Sequence, residues 1–167
     1  MRDLAKAHIV LANVSQVTTL ANRFAQLLED QATQYNKTPW IIFLEGDLGT
    51  GKTTFVRACL QAMGETGKIK SPTYTILESY EIKKWQIFHL DLYRLADPEE
   101  LHFLGIEDHF TPDAIFFIEW PKKGLGVLPK PDIVLNYKFL AQGRALELTA
   151  FSQRALPLLE SIHEICV

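Results

Sequence analysis

Apolar residues fall in short runs between polar turns, and the period of these runs changes along the chain. HIVLANV (8–14) reads as a first short strand. From Ser15, read as an N-cap, Val17, Leu20, Phe24, Leu27 and Leu28 follow helical spacing until NKTP (36–39) breaks it. WIIFLE (40–45) is an apolar run of buried-strand length that feeds GDLGTGKTTF (46–55). A helix is expected from about Lys52 to Met63. SPTYTILESY (71–80) starts extended, because Pro72 pushes Ser71 out of helical geometry. QIFHLDLY (86–93) and AIFFIEW (114–120) read as further strands. Between them Asp97-Pro98-Glu99-Glu100 is a helix start, with an acid at the cap, proline first and glutamate third. DIVLNYKFL (132–140) alternates, with Ile133, Leu135, Tyr137 and Phe139 on one face. AQGR turns it into ALELTA (145–150), so the pair reads as an antiparallel hairpin, and a last helix runs from about Pro157.

Strand and helix alternate in the first half, and strands dominate the second. That order predicts an α/β fold: a central mixed sheet flanked by helices, with an antiparallel C-terminal hairpin. No repeat, low-complexity tract or linker divides the chain, so residues 1–167 are expected to form one domain. Apolar residues are 47% and charged residues 22%, as in ordinary globular proteins. The net charge of −3 argues against binding naked nucleic acid through a basic face. The N-terminal segment has no long apolar core, and the apolar runs are too short to span a membrane, so the expected address is the cytoplasm. Cys59 and Cys166 are too few for a disulfide framework, and Cys59 falls on the apolar face of its helix as a small hydrophobe.

Gly46 to Thr53 fits G-x-x-x-x-G-K-[ST] in full, between a strand and a helix. The glycines let successive N–H groups point into one concavity, and the helix N-terminus adds partial positive charge. This stretch is therefore the candidate phosphate cradle of a P-loop NTPase fold. Lys52 is suited to the β- and γ-phosphates and Thr53 to Mg²⁺. No N-K-x-D element follows the loop, because Asn36-Lys37 precedes it and lacks the aspartate; this favours ATP over GTP. A P-loop enzyme also needs an acid for the metal's water shell or the attacking water. Asp91 and Glu119 each end an apolar run. His89, on the same strand face as Asp91, either tunes the site or is a hydrogen-bonded structural residue. Thr73 and Thr75 are the candidates for sensing the γ-phosphate, the alternative being that SPTYT is a plain turn before an edge strand.

GDLGTGKTTF, SPTYTILESY, IFHLDLYRLADPEEL and IEWPKKG, in that order and spacing, closely resemble the TsaE family, formerly YjeE, over about residues 8 to 150. The resemblance implies a small Mg-dependent ATPase of bacterial tRNA modification. It would act with TsaB and TsaD, and with TsaC upstream, to make N6-threonylcarbamoyladenosine at position 37 of tRNAs reading ANN codons. TsaD carries the transfer chemistry in that family, and ATP hydrolysis by the small subunit resets the complex between turnovers. Contact with tRNA is then indirect. The resemblance also implies that Gly49, Thr50, Gly51, Lys52, Thr53 and Thr54 wrap the phosphates, and it assigns Glu119 to Mg²⁺ or its water, Asp91 to the second acidic role, and Thr73 to the switch. Trp120 becomes part of the site or of a partner surface, or else core packing. Many relatives place a threonine or serine early in the first helix near adenine; the nearest positions here are Val17 and Thr18. Lys122-Lys123 stands where relatives often carry an acid, either as a solvated turn or at a partner or tRNA phosphate.

Two other readings compete. A P-loop small-molecule kinase needs arginines delivered by a lid, and the six arginines here are scattered, with Arg57 and Arg94 nearest the motifs. A silent binding module would hold nucleotide without turnover and tolerate loss of Asp91 or Glu119.

Overall fold

The structure, a computed structural model, describes residues 2–35 and 37–163. Cys166 and Asn36 lie outside them. Seven strands form one sheet in the order β1-β7-β6-β2-β5-β4-β3. They are β1 (Ala5–Leu11), β2 (Trp40–Gly46), β3 (Leu77–Ile82), β4 (Trp85–Asp91), β5 (Ala114–Glu119), β6 (Ile133–Phe139) and β7 (Arg144–Ala150). The four central strands, β6, β2, β5 and β4, run parallel, while β1, β7 and β3 pair antiparallel.

The helices divide unevenly between the two faces. α1 (Val14–Gln34), α2 (Lys52–Met63) and α4 (Leu156–His163) cover one face. Phe24 and Phe55 meet edge to face there, with centroids 5.3 Å apart. The other face carries only short elements, including α3 (Glu100–Phe103), over Phe43, Phe88, Leu90, Phe116 and Ile118. β2 and β5 sit between these layers, so their runs are apolar on both faces.

Several boundaries move from the sequence expectation. The first strand spans 5–11, because its partner β7 fixes the ladder from Ala5↔Ala150 to Leu11↔Arg144. Asn13, not Ser15, caps α1: its side chain accepts from the Gln16 N–H at 3.0 Å. The box at Asp97 forms, with Asp97 Oδ1 accepting from Glu99 N–H and Glu100 Oε1 accepting from Asp97 N–H, each at 2.9 Å. The α-helix proper begins only at Glu100. SPTY is a tight turn, and the edge strand starts at Leu77 after Ile76, which takes a left-handed conformation (φ 67°). The hairpin forms as expected, with Phe139 half-exposed at its end. Cys59 is fully buried, and burial pushes its thiol well up. No helix among the described residues is long and apolar enough to cross a membrane.

At the far end of the sheet, Arg154 ties several segments together. Its Nε and one terminal nitrogen donate to Asp132 at 2.8 and 2.7 Å, and further donors reach the carbonyls of Thr38 and Pro39. Asp132 also accepts the Ile41 N–H at 3.0 Å. This clamp holds the starts of β2 and β6 together, and so sets the register that carries their other ends to the glycine loop.

Candidate nucleotide site

Parallel strands deliver their C-terminal ends to one edge, and the glycine loop leaves that edge from β2. Gly46 could not be another residue: a Cβ there would lie 2.5 Å from the Tyr137 carbonyl oxygen, at φ 131°. Gly51 (φ 105°) supplies the left-handed turn that enters α2. The first N–H groups of α2 lack helical acceptors and open into a cleft of about 190 Å³. Gly49, Gly51, Lys52, Thr53, Thr54, Thr73, Asp91, Tyr93, Glu119 and Trp120 all line it, so the sequence-predicted set converges except for Thr50.

Asp91 and Glu119 are directly opposite each other in the β4–β5 register, and both are buried. Thr53 Oγ1 donates to Glu119, 2.8 Å from one carboxylate oxygen and 3.0 Å from the other. His89 Nε2 lies 2.8 Å from Glu119 Oε1. Asp91 accepts the Tyr93 N–H at 3.1 Å and the Thr73 hydroxyl at 3.4 Å, and Ser71 bonds Thr73 in turn at 2.8 Å. Burial raises the Asp91 carboxyl above the ordinary range, and the charge of Glu119 adds to the shift.

Lys52 is buried between these acids and the loop. Its ammonium donates to the carbonyls of Gly46 and Asp47 at 2.7 and 2.8 Å and lies 4.4 Å from the centre of the Trp120 ring. Burial lowers its pKa, against the opposing pull of Glu119, Asp91 and Asp47. Trp120 adopts a left-handed backbone (φ 58°), which costs a non-glycine residue about 1–2 kcal/mol. Its ring also packs against Tyr93 at 5.0 Å. The indole thus lines the cleft while packing against the core layer of Phe43, Leu90 and Ile118, and its backbone there is strained.

The structure also sorts the weaker candidates. Thr73 is in the cleft, but Thr75 donates to Glu78 on the exposed side. Thr50 is buried with its hydroxyl on the Asp47 carbonyl, and it lines a second cavity of about 310 Å³. That cavity adjoins the phosphate cleft through Gly49, Gly51 and Thr54, and its walls include Asn13, Val17, Gly143 and Arg144. Val17 therefore reaches it, whereas the Thr18 hydroxyl turns back to the Val14 carbonyl. Sequence reasoning missed the wall from the β6–β7 turn, since nothing local links residue 143 to residue 17. Lys122 is exposed and paired with Glu45 at 3.0 Å. Arg94 stacks on Tyr74, and no arginine among the described residues lines the phosphate cleft.

The family described as "Threonylcarbamoyl adenosine biosynthesis protein TsaE" matches residues 11–146, from the end of β1 into β7. This chain belongs to the TsaE family. Among its relatives, the "tRNA threonylcarbamoyladenosine biosynthesis protein TsaE" of Haemophilus influenzae is 53% identical over 66% of this chain and 70% of its own length. The protein of the same name from Rickettsia bellii is 40% identical over 86% of this chain and 94% of its own. A crystal structure of Bacillus subtilis YdiB superposes with a TM-score of 0.74 over 99% of both chains. At 23% identity it speaks for the shared fold.

Proposed function

We propose that this chain is the ATP-hydrolysing subunit required for N6-threonylcarbamoyladenosine formation at position 37 of tRNAs reading ANN codons. In this reading it acts on TsaB and TsaD and resets their complex between turnovers. Family membership supports the pathway. The observation that carries the nucleotide chemistry is the convergence of Lys52, Thr53, Thr73, Asp91 and Glu119 on one cleft at the start of α2.

The triphosphate lies along the loop N–H groups, with Lys52 on the β- and γ-phosphates. The 310 Å³ cavity beside it takes the base, between the start of α1 and the β6–β7 turn. The donor set suits Mg²⁺: a hydroxyl and carboxylates, all hard oxygens. No group of three or more acidic, histidine or cysteine side chains among the described residues forms a metal cage. That fits an ion that keeps its waters and is bound mainly through phosphate. Thr53 and Glu119 would hold it, and it would supply charge neutralisation at the transferred phosphoryl group. Asp91 would orient the metal's water shell, and its hydrogen bond to Thr73 would link the switch turn to the occupancy of the cleft.

The absence of arginine from the described cleft walls predicts weak hydrolysis by the chain alone, with TsaB and TsaD completing the transition-state contacts. It also counts against a small-molecule kinase. Reconstituted tRNA modification tests the reading. With TsaB, TsaC, TsaD and ATP, the complex makes many products per site when this chain is present and stalls near one when it carries Lys52→Ala. Equal multiple-turnover yields with both proteins refute a resetting role.

A further inference from the structure

His89 has no part in the scheme above, yet it is among the most buried polar side chains of the described residues. It sits in the middle of β4, flanked by Phe88 and Leu90, and pairs across to Phe117 of β5. An imidazole there displaces an apolar side chain that would pack at no polar cost. Its Nε2 is 2.8 Å from Glu119 Oε1, with 1% of the His89 side chain and 3% of the Glu119 side chain exposed. A carboxylate only accepts, so Nε2 carries the proton. Nδ1 is buried and has no hydrogen-bond partner among the described residues. The Nε2–H tautomer leaves only a lone pair unmet there, which costs less than a stranded N–H.

Glu119 has three side-chain torsions and reaches the cleft from the last position of β5. Two donors hold it, Thr53 from the α2 side and His89 from within the sheet. Thr53 would share its hydroxyl between a metal, met through an oxygen lone pair, and Glu119, met through the O–H. His89 is the donor committed to Glu119 alone. We infer that His89 is a positioning residue: its Nε2–H fixes Glu119 Oε1 so that the rest of the carboxylate faces the metal side of the cleft. The inference rests on the role proposed for Glu119. Partners of this kind set metal affinity without touching the ion, and their loss costs about 10–100-fold.

The test is calorimetric binding of a β,γ-imido ATP analogue across a Mg²⁺ series, with unfolding temperature recorded for each variant. His89→Leu is expected to bind the analogue without Mg²⁺ as the parent does. Its Mg²⁺ midpoint is expected to rise about 10–100-fold. In hydrolysis, kcat falls while KM at saturating metal holds. His89→Gln, whose amide N–H can reach the same oxygen, is expected to recover most of the midpoint. If His89→Leu does not fold, His89→Asn, polar but too short to reach Glu119, answers the same question. An unchanged midpoint in the donor-less variant, alongside a shifted one in Glu119→Gln, overturns the inference and leaves the site reading standing. An unchanged midpoint in Glu119→Gln overturns the site reading, and the inference with it.

Discussion

Asp91 and Glu119 face each other across adjacent strands and both are buried, so the two carboxylates repel with little screening. Side chains on adjacent strands are about 5 Å apart. Two carboxylates at that spacing repel by about 3 kcal/mol at an effective dielectric constant of about 20. The Lys52 ammonium among them offsets part of this. Asp91→Asn should therefore stabilise the nucleotide-free protein by about 1–2 kcal/mol, which for a chain of this size raises Tm by about 2–8 °C. The amide can still accept from Tyr93 and meet Thr73, so little hydrogen bonding is lost. The pH dependence has a definite sign. The folded state raises the Asp91 pKa, chiefly by burial and then through Glu119, so the folded protein holds this proton to higher pH than the unfolded chain. The favourable contribution of the carboxyl is greatest in acid and is lost as pH rises through its raised value. The variant's advantage is accordingly full near neutrality and shrinks as the pH falls toward the ordinary carboxylate range. Saturating Mg-ATP should reverse the order: at 100 times Kd it adds about 2.7 kcal/mol to the parent, and less to the variant. Thermal unfolding with and without Mg-ATP, at neutral and acid pH, reads all of this. A variant no more stable than the parent when empty would show that Lys52 already neutralises the pair.

Two further substitutions probe the site and its scaffold. Thr53→Ala removes both the hydroxyl for the metal and a donor to Glu119, so Mg-dependent hydrolysis should fall at least about tenfold in a steady-state phosphate-release assay. Arg154→Ala strands the buried Asp132 carboxylate, which should cost about 3–5 kcal/mol in urea unfolding. Nucleotide affinity, set at the opposite end of the sheet, should stay near normal in the protein that remains folded.

Local sequence carried much of this site because the glycine loop is a contiguous motif whose geometry follows from its own residues. The acids at 91 and 119 were legible for a related reason: a charge ending an apolar strand needs a partner. Their direct pairing depends on β4 and β5 being neighbours, which no local signal states. The same holds for His89, whose role could not be weighed before Glu119 stood beside it. The wall from Gly143 and Arg144 was invisible because the hairpin turn reaches the start of α1 only through the β1–β7 pairing. Asn13 and Ser15 are both residue types that suit a cap, and which of them serves turns on where β1 ends. The uneven cover of the sheet also escaped the sequence, since DPEEL has a helix's capping box but turns away after a single turn.

In the reading proposed above, this cleft hydrolyses ATP and the partner proteins govern the rate. Phosphate release from Mg-ATP by the purified chain, alone and with TsaB and TsaD, and with GTP as control, tests it most directly. A slow basal rate is expected, with a clear rise on adding the pair, little turnover of GTP, and loss of the stimulated rate with Lys52→Ala. A rate that the pair leaves unchanged would contradict it.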